Sequence, residues 1–283
     1  MLLGIVCILS LIAAVALCLC NGAAGLAWLW LLPLSFLGAF LAWALLVFLF
    51  VWAACALVDI SKPQEQDNAF YRWLIYLLAP AACTILRMRV HTRGLENTPK
   101  DGRILLVCNH LSNFDPVVLM AYFQKSQLAF ISKKENSTMF LVGKLMHKTM
   151  CQMIDRENDR EALKTILKCI QMIKDDQCSV AVFPEGYCSR DGKLQRLRSG
   201  VFKIALKTNV PIVVCTIRNT NKVMENLKRL KPTDIYLDLV EVIPAEDLKG
   251  QTAVDVGNHV FQTMLRDLGP EYTPVWLETN KEN

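Results

Sequence analysis

The first 58 residues contain no Asp, Glu, Lys, Arg or His. A stretch this long without charge has little to offer water. At about 20 apolar residues per crossing, it has room for two membrane spans. Leu2 to Cys20 is the first candidate, and Asn21-Gly22 is the clearest polar break after it. The second run, Leu26 to Val58, is too long for one straight span. Pro33 and Gly38 are placed to divide it into a re-entrant or interfacial entry and a crossing from Leu34 to Leu57. A secretory signal peptide is the competing reading of the first segment, but the basic n-region is missing and a second apolar run follows at once. Charge begins at Asp59, and all 31 Lys and Arg and all 26 Asp and Glu follow from there. The modest basic excess favours a cytoplasmic position for this larger part. A hairpin embedded in one leaflet gives the same sidedness.

Three regions are expected: residues 1–58 as a membrane anchor of two helices or a hairpin, 59–87 as a linker with an interfacial helix, and 88–283 as an α/β domain. In the second region, Ala69 to Arg87 joins Phe70, Tyr71, Trp73 and Tyr76 to flanking Arg72, Arg87 and Arg89. That composition suits a helix at headgroup level or a buried helix of the following domain. Expected strands are Met88–Thr92, Arg103–Cys108, Leu128–Ser132, Gln152–Ile154, Ser179–Phe183, Ile212–Arg218 and Ile235–Val242. Expected helices are Pro116–Phe123, Thr138–Lys148, Arg160–Lys174, Gly200–Thr208 and Ala253–Leu268. Alternating strands and helices, with continuously apolar strands such as Ile104-Leu105-Leu106-Val107, predict a mostly parallel sheet flanked by helices. In such sheets the chemistry gathers beyond the carboxyl ends of the strands.

Two short blocks lie just past expected strand ends. The first is Asn109-His110-Leu111-Ser112-Asn113-Phe114-Asp115. Pro116 favours a helix start, which puts Asp115 at the N-cap. From there its carboxylate can accept the Nδ1 proton of His110, fix the tautomer and raise the basicity of Nε2. An imidazole held this way can take the proton of a hydroxyl that attacks a carbonyl. The plain alternative is a helix cap beside an ordinary loop histidine. The second block is Phe183-Pro184-Glu185-Gly186, for which a simple turn is the alternative.

Taken in order, the blocks resemble the glycerophospholipid acyltransferase family, in particular its 1-acyl-glycerol-3-phosphate acyltransferases, from about Arg89 to Arg218. The NH-x4-D block is matched by Asn109, His110 and Asp115. The second block, ending in arginine after a short strand, is matched by Ile154-Asp155-Arg156. The third, FPEG followed by Thr-Arg-Ser, is matched by Phe183-Pro184-Glu185-Gly186-Tyr187-Cys188-Ser189-Arg190. The fourth is matched by Val210-Pro211-Ile212-Val213. Tyr187 and Cys188 replace the usual Thr and Arg, and Val214 stands where a second proline is common.

The resemblance implies transfer of a fatty acyl group from acyl-CoA or acyl-carrier protein to the free hydroxyl of lysophosphatidic acid. His110 would act as base and Asp115 would orient it, with no cofactor and no metal. Glu185 and Gly186 are associated with acceptor binding in the family. Arg156 is the expected phosphate ligand because its fork matches phosphate oxygens. Lys134, past another strand end, and Arg190, two residues beyond the missing arginine, are further candidates. The bilayer, lysophosphatidic acid and the acyl donor are the expected partners.

Other chemistries fit poorly. A net charge of +5 is too small to imply nucleic acid. Eleven cysteines include no CxxC pair and no Cys/His set with zinc spacing. Gly186 to Lys193 misses the P-loop count, and Leu194 stands where Ser or Thr would hold magnesium. No G-x-S-x-G elbow exists. His91 lies in an expected strand and His147 and His259 on expected helices, where a structural role is expected. A glycerol-3-phosphate or other lysophospholipid acyltransferase is the nearest enzymatic alternative, and a non-catalytic membrane scaffold is the alternative from another class.

Overall fold

A computed structural model describes residues 2–155, 158–189 and 191–278. The chain divides into two units, residues 1–62 and 63–283.

The first unit is a pair of packed helices, α1 (Leu2–Cys20) and α2 (Trp28–Ala56). The buried residues of α1 are Val6, Ser10, Ala14 and Cys18, a stripe of period four that includes small side chains suited to close helix approach. Ser10 Oγ donates to Val6 O at 2.6 Å, so its polar group is satisfied inside the helix. Both helices are long and apolar enough to cross a membrane, and both leave most of their apolar surface uncovered. The expected division at Pro33 and Gly38 is not seen: α2 runs through both. Pro33 lies in the second turn, where its missing N–H removes one bond, to the Leu29 carbonyl. At 1.5 Å per residue α2 is roughly 43 Å long, more than a hydrocarbon core.

The second unit opens with α3 (Ala69–Ile85), capped by Asn68, whose side chain accepts the Phe70 and Tyr71 N–H groups. One face, including Leu74, Ile75 and Cys83, is buried; Phe70, Trp73 and Ile85 on the other are exposed. Arg72, 4 % exposed, pairs with Asp67 at 2.8 Å and donates to the Leu128 and Thr149 carbonyls, tying this helix to the sheet.

The sheet contains β1 (Met88–Arg93), β2 (Leu105–Cys108), β3 (Leu128–Lys133), β4 (Gln152–Ile154), β5 (Ser179–Val182), β6 (Ile212–Arg218) and β7 (Thr233–Ile243). Their spatial order is β1-β7-β6-β2-β5-β3-β4. All pairs are parallel except β6–β7. The helices between them are α4 (Asp115–Tyr122), α5 (Val142–Lys148), α6 (Asp159–Lys174), α7 (Lys203–Thr208), α8 (Val223–Lys228), α9 (Ala253–Leu268) and α10 (Val275–Glu278). Leu105, Val107, Val180, Val182, Ile212 and Val214 pack with residues of α6, α7 and α9. Leu106, Cys108, Ala181, Val213 and Cys215 pack with Cys83 of α3 and with Val118 and Leu119 of α4. Alternate strand residues thus serve two apolar layers, so the central strands show no polar alternation.

The helix expected over Thr138–Lys148 is shorter. A 3-10 turn covers Lys134–Thr138, and α5 begins at Val142 after Leu141 takes a left-handed φ of 58°. The chain doubles back so closely that a Cβ on Gly143 would lie 2.1 Å from the Ser137 carbonyl oxygen. β2 lies between β6 and β5, with Val107 level with Val182 and with Val214. The segments leaving β2 and β5 therefore emerge side by side.

Candidate active site

The segment after β2 is clipped to β6 by Asn109. Its buried amide accepts the Ile217 N–H at 2.7 Å and donates to the Ile217 carbonyl at 2.9 Å, standing in for a ladder step past the end of β2. This fixes where His110 leaves the sheet. Asp115 differs from its expected place. Phe114 occupies the N-cap, Asp115 is the first helical residue and Pro116 the second. The Asp115 carboxylate therefore turns to the loop instead of capping the helix. Its Oδ2 accepts from His110 Nδ1 at 2.8 Å, Leu111 N at 2.7 Å and Ser112 N at 2.8 Å. Its Oδ1 accepts from the Thr220 hydroxyl. The side chain is fully buried, and these donors replace the water it has lost.

The His110 ring stacks on Phe183, with centroids 4.1 Å apart and planes 14° from parallel. Its Nε2 faces Cys188 Sγ at 3.0 Å. Burial pushes this imidazole down, but the hydrogen bonds to Asp115 and Cys188 outweigh it, and the net result is a rise to about 9.

Glu185 joins the two blocks directly. Only 1 % exposed, it accepts the His110 backbone N–H at 2.5 Å through one oxygen and the Gln195 N–H at 2.8 Å through the other. Burial raises its carboxyl to about 7, against the lowering effect of those two amides. Ser189 N–H donates to the His110 carbonyl at 2.8 Å and closes the link. Gly186 has φ 85°, and a Cβ there would lie 2.8 Å from Arg198 Nε. The positive φ favours glycine at this turn, and the Arg198 side chain is laid over it. Arg198 N–H in turn donates to the Pro184 carbonyl at 2.8 Å.

A cavity of about 490 Å³ opens beside this turn. Ile131, Ile154, Leu163, Ile166, Val182 and Val201 give it an apolar lining; Gly186, Arg198 and Lys203 bring a backbone edge and two cations.

The structure thus brings His110, Asp115, Glu185 and Gly186 together. Lys134 is exposed at the start of its 3-10 turn and is not among the residues lining the cavity. Arg156 and Arg190 lie outside the described residues. His91 pairs with Asp234, and His259 with Glu241, both on the surface. Among the described residues no group of His, Cys, Asp and Glu is arranged to hold a metal. Thr220, Gln195 and Arg198 were not legible as site residues. The contact of Cys188 with His110 had one trace in the sequence, its departure from the family pattern.

The Acyltransferase family profile matches residues 89–218. A protein of Mycoplasma pneumoniae titled "Probable 1-acyl-sn-glycerol-3-phosphate acyltransferase" is 33 % identical over 182 residues, 63 % of this chain and 67 % of that one. The 1-acyl-sn-glycerol-3-phosphate acyltransferase of Salmonella typhimurium is 31 % identical over 189 residues, 66 % of this chain and 73 % of the relative. The crystal structure of the 1-acyl-sn-glycerophosphate acyltransferase of Thermotoga maritima superposes with a TM-score of 0.61 at 24 % identity. It covers 77 % of this chain and 86 % of its own, and shares the fold. With the His110–Asp115 and Glu185–Gly186 blocks inside the matched span, the chain belongs to the acyltransferase family.

Proposed function

We propose that this protein transfers a fatty acyl group from an acyl thioester, acyl-CoA or acyl-carrier protein, to the free hydroxyl of 1-acyl-glycerol-3-phosphate, giving phosphatidic acid. The observation that carries this reading is the imidazole of His110. Asp115 holds it at Nδ1, while Nε2 faces the loop that joins it to the Glu185 turn. With Nδ1–H fixed on the carboxylate, Nε2 is the atom left to take a proton. The acceptor hydroxyl gives its proton to Nε2, its oxygen bonds to the acyl carbon, and the carrier thiol leaves with the proton that His110 returns. The hydrogen bonds to Asp115 and then Cys188 raise the basicity of His110.

The cavity supports an amphiphilic acceptor. Its apolar wall suits an acyl chain, and Arg198 and Lys203 suit a phosphate. Arg156 and Arg190 are the further phosphate ligands of this reading. Glu185 supports the site by holding the His110 and Gln195 amides. Both substrates carry long chains that partition into a bilayer. The two apolar helices of the first unit anchor the protein there, with the catalytic domain on the cytoplasmic side.

The test is a panel. Purified full-length protein in detergent receives acyl-CoA or acyl-carrier protein with lysophosphatidic acid, glycerol 3-phosphate or lysophosphatidylcholine. The reading expects phosphatidic acid as the fastest product. Preference for glycerol 3-phosphate or lysophosphatidylcholine would reassign the acceptor. No transfer to any of the three would favour the scaffold reading.

A further inference from the structure

Between the Glu185 turn and α7, residues 191–198 form neither helix nor strand. This loop nevertheless supplies two of the bonds that shape the site. Gln195 N–H donates to Glu185 Oε2 at 2.8 Å, and Arg198 N–H donates to the Pro184 carbonyl at 2.8 Å. A stretch with no regular hydrogen-bond pattern of its own takes its position from whatever holds its other side.

That other side rests on the segment after α9. Helix α9 stops at Leu268, Gly269 takes a φ of 92°, and a 3-10 turn over Pro270–Tyr272 leads into α10. The Tyr272 carbonyl accepts the Leu194 N–H at 3.0 Å. The central guanidinium carbon of Arg196 lies 4.7 Å from the centre of the Trp276 ring, within the range of a cation–π contact. Trp276 is backed by Phe261 of α9, with ring centroids 5.7 Å apart. Leu197, Tyr272, Trp276 and Leu277 pack against the apolar layer that contains Leu194 and Phe261. Neighbouring backbone groups of the loop thus have opposite duties: Leu194 N–H is held by the segment after α9, and Gln195 N–H holds Glu185.

We propose that Trp276 and Arg196 are positioning residues of the active site: together they set the loop whose Gln195 amide holds Glu185, and through Glu185 they set the backbone of His110. This rests on the acyl-transfer reading above. The segment lies beyond residues 89–218, the span matched by the family profile, so this support comes from outside the four sequence blocks. Arg196 does not touch the reacting atoms. It is exposed, and the loss of an exposed side chain costs a fold little. Its effect passes through the neighbouring Gln195 amide. Without that donor, Glu185 is a buried carboxylate left with one amide in place of two. Its other oxygen holds the His110 N–H at 2.5 Å, so slack in the loop becomes slack in the aim of the imidazole. A small misplacement of a catalytic group costs rate. The apolar wall of the cavity, from Ile131, Ile154 and Ile166, is untouched by the change, so binding of the acyl chains should hold.

The experiment compares full-length Arg196→Gln, Arg196→Lys and Trp276→Ala proteins in detergent with wild type. Phosphatidic acid formation from palmitoyl-CoA and lysophosphatidic acid gives the rates, and hydrogen exchange follows the peptide spanning 191–198. Arg196→Gln is expected to lose about fivefold or more in kcat, with KM for both substrates within about twofold and the melting temperature within about 2 °C. The loop peptide should exchange faster while peptides of β2 and β5 keep their protection. Arg196→Lys keeps a cation for the ring and should return to within about twofold of wild type. Trp276→Ala should lose about tenfold or more, and adding Arg196→Gln to it should cost nothing further, because both break one contact. An Arg196→Gln protein with kcat within about twofold of wild type and unchanged loop exchange, or losses that add in full in the double variant, overturns the positioning role and leaves the acyltransferase reading standing. A wild type that prefers glycerol 3-phosphate or lysophosphatidylcholine overturns the acceptor alone, and the same kcat losses read with that acceptor uphold the positioning role.

Discussion

Two clusters of buried carboxylates lie in the α/β unit, and they are neutralised in different ways. Asp238 and Asp267 meet guanidinium groups. Arg218 donates to Asp238 at 2.6 Å and to Asp267 at 2.8 Å, and Arg93 reaches both. The two carboxylates raise the Arg93 guanidinium still further above its ordinary value. Arginine keeps its charge, so the cluster is a clamp between β6, β7 and α9. Asp115 instead meets an imidazole, and Glu185 meets two backbone amides. Proton exchange is built into that second group: His110 is held at about 9 and Glu185 at about 7. Asp115 has a partner that titrates and Glu185 is itself moved toward neutral pH, whereas Asp238 and Asp267 are held by guanidinium groups that stay charged.

Four experiments can sharpen or break this contrast. The largest effect is expected from Asp115→Asn, which cannot accept the Nδ1 proton in the same way. Its kcat should fall by about 10²–10⁴-fold, read by phosphatidic acid formation, with the protein still folded. Arg218→Met should do the reverse. It leaves Asp238 and Asp267 with Arg93 and the Thr216 hydroxyl and should cost about 3 kcal/mol in thermal or denaturant unfolding, while kcat at a permissive temperature stays within a few-fold. Thr220→Val removes the hydroxyl from Asp115 Oδ1, whose remaining side-chain donor among the described residues is Ser112 Oγ at 3.5 Å. About 1–2 kcal/mol of stability should go, with a smaller loss of rate than Asp115→Asn.

The smallest effect concerns pH. Glu185 is raised from 4.5 to about 7, so the folded state binds more protons than the unfolded one across that interval, and stability falls as pH rises through it. His110 is raised from 6.5 to about 9, so its stabilising contribution is full below 6.5 and is lost as pH climbs through 9. The melting temperature should therefore decline from pH 5 to pH 9. Glu185→Gln should flatten the lower half of that decline and His110→Gln the upper half. A rising curve in wild type would contradict both assignments.

Much of this arrangement was legible from short-range sequence alone. Ile104 to Val107 and Val180 to Phe183 read as buried strands because apolar runs of that length have few other homes. The spacing of His110 and Asp115 gave their contact, since five residues turning into a helix bring the two side chains together. What sequence missed depends on distant chain. Thr220 reaches Asp115 across 105 residues, and Gln195 reaches Glu185 from a loop with no regular pattern. Asp115 looked like an N-cap because Pro116 marks a helix start, but the pull of three donors from the preceding loop sets the helix one residue earlier. Pro33 looked like a break because its place in the helix was not visible; in the second turn it costs one bond. α8 is too short to show a period.

The central claim is that His110 carries the proton. The most direct measurement compares His110→Ala with wild type for phosphatidic acid formation from palmitoyl-CoA and lysophosphatidic acid, with melting temperatures taken on the same samples. The account predicts a loss of about 10²–10⁴-fold with the fold intact. A folded His110→Ala protein within about tenfold of the wild-type rate would contradict it.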